Sequence, residues 1–207
     1  MNEEVYRLIL SLANDYADAL KDKVDARMQE MQDDDQSHYL IYRVLGVSAK
    51  EGEQIDLYQN KGRFLYKYAG SFLEEATIIC FMYKYSYAQK VRIENTESAR
   101  PKTFEIDCLV DDRAHEIKWR DATTDGDHIA KEHTRITAIK NAGYIPIRVM
   151  FYYPNRLQAQ RIQQTLETLY KGIGGEYYYG DAAWNYIFEE TGINLLEILE
   201  MIADERE

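Results

Sequence analysis

The chain has 207 residues, 45% of them apolar and 29% charged, with 36 acids against 25 bases for a net charge of −11. That length fits one domain or a core with appendages, and the composition is that of a folded globular protein rather than a disordered one. No apolar run reaches the length of a membrane-spanning helix, Glu3, Glu4 and Arg7 stand where a secretory signal needs an apolar block, and Cys80 with Cys108 makes neither a disulfide framework nor a zinc cluster. A membrane protein, a secreted miniprotein and a zinc finger are thereby excluded, and a cytoplasmic location is expected.

In chain order, Val5, Leu8, Ile9, Leu12, Tyr16, Ala19, Leu20, Val24 and Met28 recur at helical spacing and predict a long amphipathic helix over 3–31, ended by Asp33, Asp34 and Asp35. A second helix is predicted over 37–45, stopped by Gly46. Ser48 with Glu51 forms a capping box for a third, up to about Asn60, although Gly52 weakens it. Ser71 with Glu74 forms another box, opening a separate apolar helix through Phe81. Tyr83, Tyr85 and Tyr87 alternate with other residues and are read as a strand with a tyrosine face. From Val91 the period shifts toward two: Phe104, Ile106, Cys108 and Val110 alternate with polar residues, Asp111 and Asp112 follow, and a second run, 114–119, returns. A helix from about Asp127 to Ala142 closes at Gly143, an apolar strand runs from Ile145 to Tyr153, and a helix covers 156–171. Residues 172–180 read as a loop or ribbon, and a last helix starts near Asp181. The order gives an α/β fold, a mixed central sheet flanked by helices, with a helical N-terminal arm. The expected division is a helical region over 1–62 packed on a core over 63–207.

The chemistry is concentrated in the hairpin. With Asp111 and Asp112 as a two-residue turn, Val110 pairs with Arg113, Cys108 with His115 and Asp107 with Glu116. Alternation then puts Phe104, Ile106, Cys108, Val110, Ile117 and Trp119 on one face, with His115 and Arg113, and Glu105, Asp107, Glu116 and Lys118 on the other. Opposed carboxylates repel, and such a pair beside a lysine invites a compensating cation. Carboxylate oxygens suit Mg²⁺, which leaves room for water and substrate phosphate, and a neighbouring lysine can stabilise the attacking hydroxide. The other reading of the same residues is a half-exposed hairpin with a solvated polar face.

Asp107, then eight residues, then Glu116-Ile117-Lys118 resembles the PD-(D/E)xK motif of the restriction-endonuclease-like nucleases, with Ile106 in place of the motif's proline. The resemblance implies Asp107, Glu116 and Lys118 as catalytic residues. It implies Asp107 and Glu116 as metal ligands, joined by the Ile117 carbonyl and by a glutamate from the preceding helix, Glu74 or Glu75, of which Glu75 is preferred. The alternative for both glutamates is that they complement a helix N-terminus. A longer resemblance, from Lys118-Trp119-Arg120-Asp121-Ala122-Thr123-Thr124-Asp125-Gly126-Asp127-His128-Ile129 through Lys131-Glu132, Arg135, the Tyr-Ile-Pro-Ile strand, Pro154-Asn155-Arg156 and Gly-Gly-Glu-Tyr-Tyr, is similar to the ApaLI-like type II restriction endonucleases over about 65–200. It implies a Mg²⁺-dependent homodimer that cuts double-stranded DNA at a short palindrome, a hexamer of the GTGCAC type.

The segment after the hairpin has parts suited to DNA. Arg120, Lys131 and Arg135 can neutralise phosphates or grip guanine, Thr123 and Thr124 can donate to phosphate or base edges, and Asp121 and Asp125 can accept from cytosine or orient the arginines. His128 joins them as a polar residue on the DNA-side helix, and Asp127 doubles as a helix N-cap. Charge distribution permits this. Residues 1–35 hold ten acids and four bases, residues 189–207 seven acids and one base, and the middle 19 acids and 20 bases. His128 and His133 are five apart and do not form a zinc pair, and Gly172-Ile173-Gly174-Gly175 lacks the Lys-Ser/Thr of a phosphate loop, so no nucleotide cofactor is expected. The leading expectation is a type II site-specific deoxyribonuclease. The alternatives are a repair or junction-resolving nuclease of the same fold and a non-catalytic DNA-binding protein.

Overall fold

The structure, a computed structural model, describes residues 2–98, 100–120 and 127–206, the side chain of Asp127 excepted. The chain divides into two compact units, residues 11–72 and residues 1–10 with 73–207. The helical unit draws on α1 (Glu3–Gln32), α2 (Tyr39–Val44) and α3 (Ala49–Lys84). Within it Tyr16 of α1 meets Tyr68 and Phe72 of α3 edge-on, at centroid distances of 6.0 and 5.8 Å.

Ser48 and Glu51 form the expected capping box, with Glu51 N–H donating to Ser48 Oγ at 3.3 Å and Ser48 N–H to Glu51 Oε2 at 3.0 Å. Ser71 and Glu74 do not start a helix, because α3 runs through them without a break. No proline interrupts 49–84, and an interior glycine costs only about 1 kcal/mol, too little to force an end. Gly52 is a place of close approach rather than a weak point. A Cβ there would sit 2.5 Å from Cδ2 of Tyr42, whose hydroxyl donates to Asp56 Oδ1 at 3.0 Å. Tyr83 belongs to the end of α3 and Tyr85 and Tyr87 to the turn after it, so the expected tyrosine-faced strand is replaced by a helix terminus.

The second unit carries β1 (Gln89–Glu94), β2 (Thr103–Val110), β3 (Arg113–Lys118), α4 (Asp127–Asn141), β4 (Ile145–Met150), α5 (Leu157–Gly172), β5 (Glu176–Tyr179), α6 (Asp181–Thr191) and α7 (Leu195–Asp204). The sheet order is β1-β2-β3-β4-β5, antiparallel through β3 and parallel from β3 to β5. It is the expected α/β fold with a mixed central sheet. The two parallel steps are made by helical crossovers, α4 and α5, and Ile136, Ile162, Leu166, Tyr170 and Tyr177 join those helices to β5 in one apolar cluster.

Of the loop or ribbon expected over 172–180, residues 176–179 are a strand paired with β4, and the expected last helix is two. Gly192 ends α6 in the left-handed region at φ 77°, and Asn194 Oδ1 caps α7 by accepting from Glu197 N–H at 3.3 Å. Gly175 is what lets β5 enter the sheet. A Cβ on it would collide with the carbonyl oxygen of Pro146 and lie 2.9 Å from Pro146 Cγ and 3.0 Å from the Tyr170 carbonyl oxygen. Backbone on two sides cannot give way, so Gly175→Ala is expected to lower stability by about 1–3 kcal/mol. A urea midpoint unchanged from the parent would contradict that close approach.

Candidate active site

Near the turn the hairpin forms in the expected register, with Val110 opposite Arg113, Leu109 opposite Ala114 and Cys108 opposite His115; the ladder stops there, so the expected pairing of Asp107 with Glu116 is not made. Asp111 takes φ 52°, a left-handed conformation that aspartate tolerates better than most residues, and Tyr87 donates to its Oδ1 at 3.0 Å. The Asp112 carbonyl accepts from Ile145 N–H at 2.7 Å, so the turn also anchors the start of β4.

On its other edge β2 is irregular. Gln89 stands opposite Leu109 but Val91 stands opposite Ile106, so three residues of β2 advance against two of β1. This β-bulge breaks the alternation that a regular strand would keep. Phe104 and Ile106 therefore share a cluster with Ile93, Ala114 and the α4 residues Ala138 and Ile139. Cys108 and His115 are on the opposite face. His115 lies 4.5 Å from the Phe81 ring, its Nδ1 is 3.0 Å from the Cys108 carbonyl and its Nε2 2.8 Å from the Tyr186 hydroxyl. The single apolar face expected from the sequence is thus two, and Asp107 sits at the bulge that separates them. His115 is a core histidine, its pKa lowered to about 4 by burial. Burial likewise pushes the thiols of Cys80 and Cys108 up to about 12, so neither is a nucleophile at neutral pH.

Asp107, Glu116 and Lys118 come together on the α4 side of the sheet. Asp107 Oδ2 accepts from Ile117 N–H at 2.8 Å and lies 3.4 Å from Lys118 Nζ, which is 2.6 Å from Glu116 Oε1. Arg135 of α4 pairs through Nη1 with the same Glu116 oxygen, and its guanidinium carbon is 5.8 Å from the centroid of the Phe104 ring. Asp107 is 6% and Glu116 3% exposed, so both carboxylates are nearly dry. Burial and the charge of Glu116 push the Asp107 carboxyl up to about 7, against the pull of Lys118. Burial opposes ionisation of Glu116 as well, but Lys118, Arg135 and Arg148 outweigh it and hold that carboxyl down at about 2. Lys118 loses by burial and gains more from Glu116 and Asp107, so its pKa is raised and it stays cationic. One carboxylate of the pair keeps its charge and the other takes up the proton, as two acids crowded together must.

Of the two α3 acids, Glu74 pairs with Lys90 at 2.5 Å, and its charge is among those raising Asp107. Glu75 is half-buried on the same helix. Among the described residues no group of three His, Cys, Asp or Glu is placed to hold a metal ion, so the third carboxylate expected from α3 does not complete a set with Asp107 and Glu116. Those two remain an all-oxygen donor pair whose mutual repulsion a divalent cation would relieve, which fits Mg²⁺.

The residues expected at DNA are spread differently. Arg120 is exposed, its guanidinium 5.6 Å from the Trp119 ring, and Lys131 is exposed on α4, while His128 is half-buried near the start of that helix. Arg135 is drawn into the carboxylate cluster rather than outward. Asp121, Thr123, Thr124 and Asp125, and the capping side chain of Asp127, lie outside the described residues. Sequence reasoning missed Glu132 and Arg148. Arg148 Nη1 lies 2.9 Å from Glu132 Oε1, and both are buried. The signal was an arginine in the middle of Ile-Pro-Ile-Arg-Val-Met, because a charge inside a buried strand needs a buried counter-charge.

The pH dependence of the metal-free protein follows from Asp107. A folded pKa near 7, above the unfolded value near 3.9, means its contribution to stability is fully present below about pH 4 and lost as pH rises through 7. Asp107→Asn in EDTA is therefore expected to be more stable than the parent at pH 8, by on the order of 2 kcal/mol, with the gap closing toward pH 4. Urea unfolding checks this, and a variant less stable than the parent at pH 8 would contradict it.

The chain matches the family model described as ApaLI-like restriction endonuclease over residues 1–204, wider than the 65–200 that the residue patterns covered. Nothing matches among curated proteins, and nothing among solved structures. The match takes in the hairpin with its carboxylate pair, α4 and the helical unit alike, and the protein belongs to the ApaLI-like restriction endonuclease family.

Proposed function

We propose that this nuclease is a Mg²⁺-dependent type II site-specific deoxyribonuclease that hydrolyses both strands of double-stranded DNA at a short palindrome. The proposed target is a hexamer of the GTGCAC type. The observation that carries the reading is the meeting of Asp107, Glu116 and Lys118 on adjacent strands, with Lys118 Nζ 3.4 and 2.6 Å from the two carboxylates.

Asp107 and Glu116 would hold the metal, which when bound supplies Lewis-acid stabilisation of the charge that develops on the scissile phosphate. The chain's own contribution is positioning and charge. The Ile117 N–H fixes the Asp107 carboxylate on the strand next to Glu116. Lys118, kept cationic by both acids, orients the attacking water through Nζ and offsets negative charge as the water oxygen bonds to phosphorus and the P–O bond breaks. Arg135 brings a second cation within reach of the same phosphate. Arg120, Lys131 and His128, with Asp121, Thr123, Thr124 and Asp125, are the proposed DNA contacts. A palindrome is met by two-fold symmetry, so each chain of a homodimer would cut one strand. No helix among the described residues is long and apolar enough to cross a membrane.

Incubating the protein with unmethylated phage DNA, in Mg²⁺ and in EDTA, beside Lys118→Ala tests this. Discrete fragments that require Mg²⁺ and are lost by at least about a hundredfold in the variant are expected, and sequencing their ends gives the recognition site. A smear, or cleavage of branched DNA alone, would contradict site-specific restriction, and a fully active Lys118→Ala would contradict the catalytic assignment.

A further inference from the structure

Two residues of α4, one turn apart, each meet a charge on the sheet. Arg135 pairs with Glu116 of β3, and Glu132 Oε1 with Arg148 Nη1 of β4 at 2.9 Å. Glu116 and Arg148 are register partners on the parallel strands, so these four side chains form a square of alternating charge between helix and sheet. Tyr170 of α5 joins it, its hydroxyl donating to Glu132 Oε1 at 2.6 Å. Arg148 is 3% and Glu132 5% exposed, and among the described residues the buried Nε of Arg148 has no hydrogen-bond partner.

A buried pair of this kind is weak evidence of a role in stability. Desolvating two charges costs several kcal/mol per ion, and apolar residues of similar volume commonly replace a buried pair without loss. Ile136, Ile162, Leu166 and Tyr177 already pack α4 against α5 and β5. Apolar contacts of that kind tolerate small slides of a helix along a sheet, whereas a charge-assisted hydrogen bond has a fixed length and direction. The pair therefore adds a set position of α4 over β4, and with it the position of the Arg135 guanidinium at Glu116 Oε1, the oxygen shared with Lys118.

We propose that Glu132, Arg148 and Tyr170 are positioning residues of the cleavage site, pinning α4 against β4 so that Arg135 is held at Glu116. The proposal rests on the reading of Asp107, Glu116 and Lys118 as that site. None of the three touches the reacting atoms.

The deciding variant is the double substitution Glu132→Leu with Arg148→Met, which removes both charges at once and leaves no lone buried ion. Steady-state cleavage of a duplex oligonucleotide carrying the mapped site is expected to show kcat lowered roughly ten- to a hundredfold, with KM within about threefold of the parent. A cooperative urea transition shows that the double variant is folded, and Arg148→Lys, which keeps the charge, is expected to recover part of kcat. A double variant with kcat within about twofold of the parent overturns the proposal. Where the double variant does not fold, Tyr170→Phe decides, because it deletes one hydrogen bond and no charge. A several-fold fall in kcat at unchanged KM supports the pin, and an unchanged kcat overturns it. Lys118→Ala runs alongside. If it cleaves like the parent, the site and the pin fall together; if it is inactive while the double variant is fully active, the pin alone falls.

Discussion

Charge balance in a nearly dry space governs this protein's sheet. Asp107 and Glu116 stand on adjacent strands with little water to screen them, and two bare carboxylates so placed repel each other. Lys118, Arg135 and Arg148 answer Glu116, and the proton that Asp107 keeps to near pH 7 answers the remainder. Two acids whose pKa values are pushed apart in a buried space are what makes this the candidate site.

The fold supplies each part from a different kind of connection. A two-residue turn puts Asp107 and Glu116 on neighbouring strands, and a bulge in β2 turns Phe104 and Ile106 under α4 while leaving His115 and Cys108 to the opposite core. The parallel crossover from β3 through α4 to β4 then carries Arg135 and Glu132 back over the strands that hold their partners. The chain belongs to the ApaLI-like restriction endonucleases, and the proposed reading places that family's hydrolytic chemistry at this carboxylate pair.

What could be read in the sequence followed the range of the forces involved. The hairpin register from Val110–Arg113 to Cys108–His115 was legible because a two-residue turn is local, whereas the alternation used beyond Cys108 fails at the bulge. The Ser71–Glu74 box misled for the same reason, being a local signal inside a helix that nothing interrupts. The bulge was not legible, since it exists only relative to β1. The choice between Glu74 and Glu75 turns on about 100° of helix rotation toward a strand whose position the sequence does not state. Glu132 and Arg148 lie sixteen residues apart on different elements, and only the crossover makes them a pair.

The most direct test of the central claim is the count of divalent ions bound by the free protein, taken from the EPR signal of unbound Mn²⁺ at pH 6 and pH 8, in the parent and in the Asp107→Asn/Glu116→Gln double variant. If the carboxylate pair is the metal site, Mn²⁺ binds more tightly at pH 8, where Asp107 has given up its proton, and that binding is lost in the variant. Equal binding by parent and variant, or binding that does not change between the two pH values, would contradict the account.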